Sequence, residues 1–319
     1  MMKRPLEKSD AGVVVGSASG ALVSVAPSLP TLLRMRFADY CILGKLRISV
    51  LVLIVTAIGF CLGSRGDVGL LALMHALIGT ALVAISANTL NQYMERDFDR
   101  LMVRTADRPI PAGRLTPGEA MLFGVVCGVV GLVYLWLTTN AWATGLSAAT
   151  LFLYLFAYTP LKRRTAWNTW IGAVPGALPP MIGFAAAHDG LATTAWLLFA
   201  ILFVWQLPHF FAIAWMYRED YARGGYRMLS TVDPTGRATR VQTVGLSVLM
   251  VAVSVLPTLL GFAGMIAAAG AVVLGAGLVY AATRMARDLS YSTARTMLLA
   301  SVIYLPLLMA LLLLDRATP

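Results

Sequence analysis

Three side chains with oxygen donors are spaced four residues apart near the end of a long apolar segment. They are Asn91, Glu95 and Asp99. This spacing turns each side chain about 40° from the previous one and raises it by roughly 6 Å, so all three face one side of a helix. Carboxylates beside hydrocarbon cost free energy and are by default a sign of function. Because Mg²⁺ binds one or two carboxylates together with phosphate oxygens, the pattern predicts a magnesium site.

Arginines follow these donors closely. Residues 91–114 contain five of them: Arg96, Arg100, Arg104, Arg108 and Arg114. The guanidinium group binds phosphate oxygens through paired hydrogen bonds, so the segment indicates a diphosphate ligand. The structural alternative is a solvated turn whose arginines contact lipid headgroups. Asp97 lies about 200° around the helix from Glu95, and we expect it to orient an arginine rather than to bind the ion.

A second polar cluster follows a proline inside a later apolar segment, and we expect it to face the first. Pro208 removes a helical hydrogen bond, which in membrane proteins usually happens beside a cavity. His209 comes next and either faces a ligand or is a hydrogen-bonded structural residue. Tyr217, Glu219 and Asp220 end the segment among arginines. The two acids either hold a second ion or order the loop.

A third polar segment lies between these two. Lys162 and Arg163 leave an apolar segment on the same side as the other clusters. They either join the phosphate pocket or anchor the chain by their positive charge. Asn168, inside the next apolar segment, needs a hydrogen-bond partner, and a cavity is a natural place for one.

The composition defines the fold class. The chain has 319 residues, of which 59% are hydrophobic and 13% charged, and its mean hydropathy is +0.77. These values lie outside the range of soluble domains and predict an all-α polytopic membrane protein. Apolar stretches of spanning length predict nine transmembrane helices. They cover residues 47–64, 69–93, 118–137, 139–158, 167–187, 193–217, 239–262, 265–283 and 294–314.

The distribution of positive charge predicts the orientation. Lys and Arg are concentrated before the first span, where Lys45 is one of them, and after every second span. The positive-inside rule then gives a cytoplasmic N-terminus and an extracytoplasmic C-terminus. The net charge of +10 is a topology signal, and we expect no nucleic-acid partner. We interpret residues 1–30 as a disordered cytoplasmic arm without a transit peptide, and residues 31–319 as one transmembrane domain of a bacterial inner-membrane protein.

Local signals refine the span limits. A capping box over residues 116–119 predicts the start of the third span, and the Asp-Pro pair at 233–234 the start of the seventh. Pro160 predicts that the fourth span ends directly before it. Gly124 and Gly128 form a GxxxG pair, which indicates close helix packing and no chemistry.

Together the polar segments resemble the UbiA superfamily of intramembrane prenyltransferases, whose first motif reads roughly NDxxDxxxD. The corresponding residues are Asn91, Gln92, Glu95 and Asp99. The departures at Gln92 and Glu95 are similar to the branch that farnesylates haem. Further similarity to that branch lies in residues 95–99, 104–111, 158–165, 168–180 and 208–229. The resemblance covers about residues 30–315.

This resemblance implies nine helices around a central cavity and the transfer of a farnesyl group from farnesyl diphosphate to a vinyl group of haem B, which gives haem O. It implies one Mg²⁺ as cofactor, haem B as substrate rather than prosthetic group, and membrane lipid and the next enzyme of haem A synthesis as partners. The implied metal ligands are Asn91, Glu95 and Asp99. The implied catalytic residues are these three with Arg104 and Arg108, the diphosphate-binding residues are Arg100, Lys162 and Arg163, and the acceptor-side residues are His209, Asn168, Tyr217, Glu219 and Asp220.

Two alternatives remain open at this point. A related prenyltransferase that acts on an aromatic or quinone precursor would share the same chemistry. A secondary transporter of an anionic metabolite would also place charges near broken helices. The transporter, however, predicts charges near the bilayer midplane, whereas these acids and arginines gather at one surface.

Overall fold

The computed structural model describes residues 28–64 and 66–316, so the predicted arm lies almost wholly outside the described residues. The chain divides into two compact units, residues 1–38 and 39–319. A π-helix covers Leu153–Tyr158. The α-helices are α1 (Leu29–Leu43), α2 (Leu46–Gly63), α3 (Leu70–Asp99), α4 (Pro117–Thr138), α5 (Ala141–Phe152), α6 (Thr159–Leu161), α7 (Asn168–Ala177), α8 (Pro179–His188), α9 (Thr193–Met216), α10 (Arg218–Arg223), α11 (Leu229–Val232), α12 (Arg237–Leu259), α13 (Met265–Arg287) and α14 (Tyr291–Leu314).

The helices account for the predicted spans. Among the described residues, eight helical segments are long and apolar enough to cross a membrane, and α1 with α2 makes a ninth if this bent pair is one span. The fourth and fifth candidates are composite segments, Ala141–Leu161 and Asn168–His188. The chain is therefore an all-helical multi-pass membrane protein, with about the predicted number of spans.

The second span is longer than its hydropathy predicts. We expect it to end near residue 93, but α3 continues to Asp99. The charged residues of its last turns lower the mean hydropathy, while the backbone hydrogen bonds of the helix continue. As a result Asn91, Glu95 and Asp99 all lie on one unbroken helix.

The capping box is confirmed. Thr116 Oγ1 accepts a hydrogen bond from the Glu119 backbone N–H at 3.2 Å, and Glu119 Oε2 accepts one from the Thr116 backbone N–H at 2.8 Å. The Asp-Pro pair at 233–234 does not begin the seventh span, because α12 begins at Arg237, close to the start at residue 239 that hydropathy predicts. Asp233 still contributes there, since its Oδ2 accepts a hydrogen bond from the Ala238 backbone N–H.

The predicted end of the fourth span is also wrong, because the helix passes through Pro160 and ends at Leu161. Proline has no backbone N–H, so in a regular α-helix the carbonyl group four residues before it would lack a donor. Here a π-helix with a wider turn precedes the proline and changes this hydrogen-bond spacing. The Thr159 hydroxyl donates to the Tyr154 carbonyl oxygen at 2.8 Å. The π-helix thus carries Thr159 into the site described below.

Small residues bring several helices close together. A Cβ on Gly124 would lie 2.8 Å from a Leu90 side-chain carbon, and one on Gly128 would lie 2.7 Å from Ser86 Oγ, so the predicted packing of the GxxxG pair is confirmed against α3. The main buried cluster is formed by side chains of α2, α7, α8, α9, α12, α13 and α14. This packing holds the end of α9, from which the second polar cluster extends.

Candidate active site

The three predicted donors on α3 are buried in protein and do not face lipid. Asn91, Glu95 and Asp99 expose 1%, 6% and 1% of their surface. Asn91 Nδ2 donates to Thr159 Oγ1 at 3.0 Å, and Lys162 Nζ donates to Glu95 Oε1 at 2.8 Å. The turns of α3 that carry Asn91 and Glu95 therefore contact the end of the fourth span, where their hydrogen-bond partners Thr159 and Lys162 lie.

Asp99 is paired with a residue of the loop that follows α3. Arg108 Nη1 donates to Asp99 Oδ2 at 2.6 Å, and the Thr105 hydroxyl donates to the Asp99 carbonyl oxygen at 2.9 Å. The other carboxylate oxygen, Oδ1, is buried and has no hydrogen-bond partner among the described residues. An unpartnered buried carboxylate oxygen costs free energy, so this atom is a candidate ligand for a cation.

Lys162 is a stable cation at this site. Burial disfavours its charged form, but the adjacent Glu95 carboxylate raises the pKa of the ammonium group well above its ordinary value. The ammonium also lies 4.5 Å from the centre of the Tyr158 ring. Glu95 and Lys162 therefore form a buried salt bridge between α3 and the end of the fourth span.

A cavity of about 410 Å³ opens beside Glu95. Arg163 lines it and places its guanidinium carbon 3.8 Å from the centre of the Phe98 ring. The phenol oxygen of Tyr226, also in the wall, is buried without a hydrogen-bond partner among the described residues. Burial and the Glu95 carboxylate raise the pKa of this phenol, so it remains a donor. The remaining lining residues are Met94, Thr159, Pro160 and Arg164.

The donor set fits a magnesium ion whose remaining coordination positions are filled by phosphate and water oxygens. In the described part of the chain, no three His, Cys, Asp or Glu residues are grouped closely enough to bind a metal on their own. Mg²⁺ commonly uses only one or two carboxylates and takes further oxygens from phosphates and water. The free Asp99 Oδ1 and the cavity beside Glu95 suit such an arrangement.

The first and second polar clusters are in contact, as predicted. Asp220 Oδ1 accepts a hydrogen bond from the Val103 backbone N–H at 3.2 Å and forms an ion pair with Arg223. Burial opposes the charge, but these donors hold the pKa of the Asp220 carboxyl below its ordinary value. These contacts support the loop-ordering alternative for Asp220, whereas Glu219 is exposed.

Arg104 joins the same contact from the loop after α3. Its guanidinium carbon lies 4.9 Å from the centre of the Tyr217 ring, and its Nη2 donates to the Tyr221 hydroxyl at 3.3 Å. Arg100 is exposed to solvent. Asp97 lies 3.7 Å from Arg96, in agreement with the expected pairing to an arginine.

Two predicted acceptor-side residues make hydrogen bonds outside the cavity wall. His209 Nδ1 lies 2.8 Å from Ser301 Oγ, and its ring stacks on Trp205. Because Ser301 Oγ donates its own proton to the Leu298 carbonyl, it accepts from His209 Nδ1, which leaves Nε2 without a proton. Asn168 Nδ2 donates to the carbonyl oxygens of Thr165 and Arg227, so its contacts hold two loops together.

Sequence reasoning missed Thr159 and Tyr226. Nothing in the local pattern around either residue separates it from an ordinary span-end side chain. Thr159 is brought to Asn91 by the π-helix, and Tyr226 is brought to Glu95 by the turn after α10. Both placements depend on long-range packing.

The fold and the site define a multi-pass helical membrane protein with a buried group of acids and cations suited to an anionic, metal-bound ligand. Residues 52–312 match the UbiA prenyltransferase family. The chain belongs to this family, and within it to the group whose curated members are named protoheme IX farnesyltransferase.

Several relatives match along most of their length. The protoheme IX farnesyltransferase of Solibacter usitatus is 48% identical over 287 residues, which are 87% of this chain and 98% of the relative. That of Salinibacter ruber is 46% identical over 87% of this chain and 98% of its own. The mitochondrial protoheme IX farnesyltransferase of Arabidopsis thaliana is 37% identical over 86% of this chain and 64% of its own.

Solved structures share the fold at low sequence identity. A structure of digeranylgeranylglyceryl phosphate synthase has a TM-score of 0.73 and 17% identity, and the match covers 89% of this chain and 99% of that one. A UbiA homologue from Archaeoglobus fulgidus bound to GPP and Mg²⁺ has a TM-score of 0.62 and 14% identity, with 86% and 99% covered.

Proposed function

We propose that the protein transfers a farnesyl group from farnesyl diphosphate to a vinyl group of haem B and so produces haem O. The names of its relatives support the substrates, and their similarity extends over nearly the whole membrane domain. The observation that carries the chemistry is the pair of buried salt bridges, Glu95–Lys162 and Asp99–Arg108, of which Glu95 lines a cavity. In each salt bridge, the cation can bind the diphosphate while the acid binds the metal ion.

The bond between the farnesyl carbon and the diphosphate oxygen breaks, and the diphosphate leaves with the electron pair. Lys162 and Arg108 stabilise the negative charge that develops there, because cations fixed in advance need no reorganisation. Asn91, Glu95 and Asp99 would hold Mg²⁺, which when bound neutralises the same diphosphate. Arg163 and the Tyr226 phenol lie in the cavity wall, where both can donate hydrogen bonds to the diphosphate.

The allylic cation that remains must meet the haem before water. Its positive carbon takes the π electrons of the vinyl group, a carbon–carbon bond forms, and the new cation beside the porphyrin binds a water molecule that then loses a proton. A dry apolar wall prevents early attack by water. We expect the porphyrin near the Trp205–His209 stack, where His209 Nε2 is available.

We place the protein in the bacterial inner membrane, with its N-terminus and the polar clusters on the cytoplasmic side. The concentration of Lys and Arg in alternate connections supports this orientation. Farnesyl diphosphate would then enter from the cytoplasm, and the enzyme that consumes haem O is a candidate partner in the membrane.

The direct test of the substrates uses membranes that contain the protein, haem B and isotopically labelled farnesyl diphosphate. We expect a labelled pigment whose mass equals haem B plus one farnesyl group and one hydroxyl group. Membranes without the protein are the control. Label in a quinone precursor, with none in the haem fraction, would favour the alternative acceptor.

A further inference from the structure

Thr159 lies between the side-chain amide of Asn91 and the backbone of the π-helix. Its hydroxyl donates to the Tyr154 carbonyl oxygen at 2.8 Å and accepts from Asn91 Nδ2 at 3.0 Å. A hydroxyl has one proton to donate and a backbone carbonyl can only accept, so the proton belongs to the bond with Tyr154. Toward Asn91 the hydroxyl can therefore only accept, and it selects the NH₂ group of the amide rather than its oxygen.

The orientation of this amide decides which atom Asn91 offers to a ligand. The two ends of an amide have nearly the same shape, and the terminal torsion of Asn allows both orientations, so packing alone does not choose between them. With Nδ2 bound to Thr159, Oδ1 lies on the other arm of the amide and accepts no hydrogen bond from the described residues. This oxygen is the atom that Mg²⁺ can bind, because the ion takes oxygen ligands and an NH₂ group only donates.

The π-helix gives the Thr159 hydroxyl its acceptor. In a regular α-helix a Thr hydroxyl bonds to the carbonyl three or four residues earlier, as the Thr150 hydroxyl does with Leu146 at 2.8 Å. The Thr159 hydroxyl instead reaches five residues back to Tyr154, because the π-helix has a wider turn. Thr159 exposes only 6% of its surface, so a hydrogen bond that Asn91 loses here is not readily replaced by one to water.

We propose that Thr159 is a positioning residue, which turns the Asn91 amide so that Oδ1 rather than Nδ2 faces the Mg²⁺ site. The inference rests on the proposed function and adds to it a residue that orients a metal ligand from a neighbouring helix. The π-helix then takes part in metal binding, since its Tyr154 carbonyl holds the proton of the Thr159 hydroxyl. The alternative is that Thr159 only joins α3 to α6, and the test below separates the two roles.

The test measures the dissociation constant of Mn²⁺ for the purified protein in phosphatidylcholine nanodiscs, with inorganic pyrophosphate present. Mn²⁺ takes the same oxygen ligands as Mg²⁺, and the electron paramagnetic resonance signal of the free ion reports binding without turnover. Thr159→Val keeps the shape of the side chain and removes the hydroxyl, whereas Thr159→Ser keeps the hydroxyl. Thr150→Val removes a hydroxyl that bonds within its own helix and is the matched control. The melting temperature of each variant reports on folding.

A second background isolates the orientation of the amide. Asn91→Asp replaces the amide by a carboxylate with two equivalent oxygens, so Thr159 has no orientation left to select. A residue that only joins two helices would matter equally in both backgrounds, and the comparison of the single and double variants measures the difference.

We expect Thr159→Val to weaken Mn²⁺ binding by about fivefold or more, as for the loss of one hydrogen bond. Thr159→Ser and Thr150→Val should match the wild type. In the Asn91→Asp background, Thr159→Val should change the affinity by less than about twofold. Thr159→Ala and Thr159→Ser differ by the hydroxyl alone and give the same comparison if the valine variant does not fold.

Three results would overturn the inference in distinguishable ways. Wild-type affinity in Thr159→Val, while Asn91→Ala loses affinity, would reject Thr159 and leave the proposed function standing. Equal weakening by Thr159→Val in both backgrounds would make Thr159 a contact between helices that does not orient the amide. No Mn²⁺ binding by the wild type with pyrophosphate would reject both this role and the metal site of the proposed function.

Discussion

Glu95 and Asp99 obtain their cations from different connections, Lys162 from the end of the fourth span and Arg108 from the loop after α3. A buried acid needs such a partner, since an isolated buried charge is far costlier than a paired one. The same pairing also keeps two cations, Lys162 and Arg108, beside the proposed position of the diphosphate. We therefore propose that a substrate diphosphate exchanges with these salt bridges when it binds.

Asp99→Asn should reduce farnesyl transfer by about 100-fold or more, as expected when one electrostatic group that stabilises a transition state is lost. The substitution keeps the volume of the side chain and removes the charge. Asp97→Asn, two residues away and exposed, is the control and should retain activity. The measurement is the rate of haem O formation in membranes with equal amounts of each protein, and equal rates for both variants would exclude a role for Asp99.

His209→Ala should impair the use of haem B more than the binding of farnesyl diphosphate. Ser301→Ala should act in the same direction but more weakly, because it removes only the acceptor that keeps the proton on His209 Nδ1. The comparison requires separate KM values for the two substrates. If both KM values rise equally, His209 is a structural residue of the contact between α9 and α14.

Among the helices, α3 and α9 depend on one another through the loops that follow them. Asp220 receives a hydrogen bond from the Val103 backbone, and Arg104 lies over the Tyr217 ring. Met102 of the first loop and Tyr226 and Met228 of the second also form a small buried apolar cluster. The polar contacts add to this cluster in ordering the cytoplasm-facing rim that we propose for the site.

Asp220→Asn should loosen this contact and speed trypsin cleavage at the arginines of the two loops, while exposed Glu219→Gln should not. The wild type should show the same loosening in acid. Because the folded pKa of Asp220 is lowered, its stabilisation is complete above the ordinary carboxyl pKa and is lost as the pH falls through the lower folded value, below about pH 4. An acid-resistant protease at several pH values would detect this. Equal cleavage of the two variants would show that Asp220 does not order these loops.

For the whole molecule, hydropathy predicts the spans because each apolar run must satisfy its backbone inside lipid, and helices do so locally. The spacing of Asn91, Glu95 and Asp99 predicts a shared face because it follows from helical geometry alone. The π-helix before Thr159 depends on side chains that are distant in sequence. The same is true of the partners of the acids, so local patterns predict which residues are polar but not which of them meet.

In the proposed mechanism, diphosphate leaves from a metal ion held by the donors on α3, and the release of pyrophosphate by the purified protein measures this step. With haem B and farnesyl diphosphate, we expect steady release that EDTA stops and added Mg²⁺ restores, and little release by Asp99→Asn under any condition. Release that continues unchanged in EDTA, or that Asp99→Asn supports as well as the wild type, would rule out this metal-assisted mechanism.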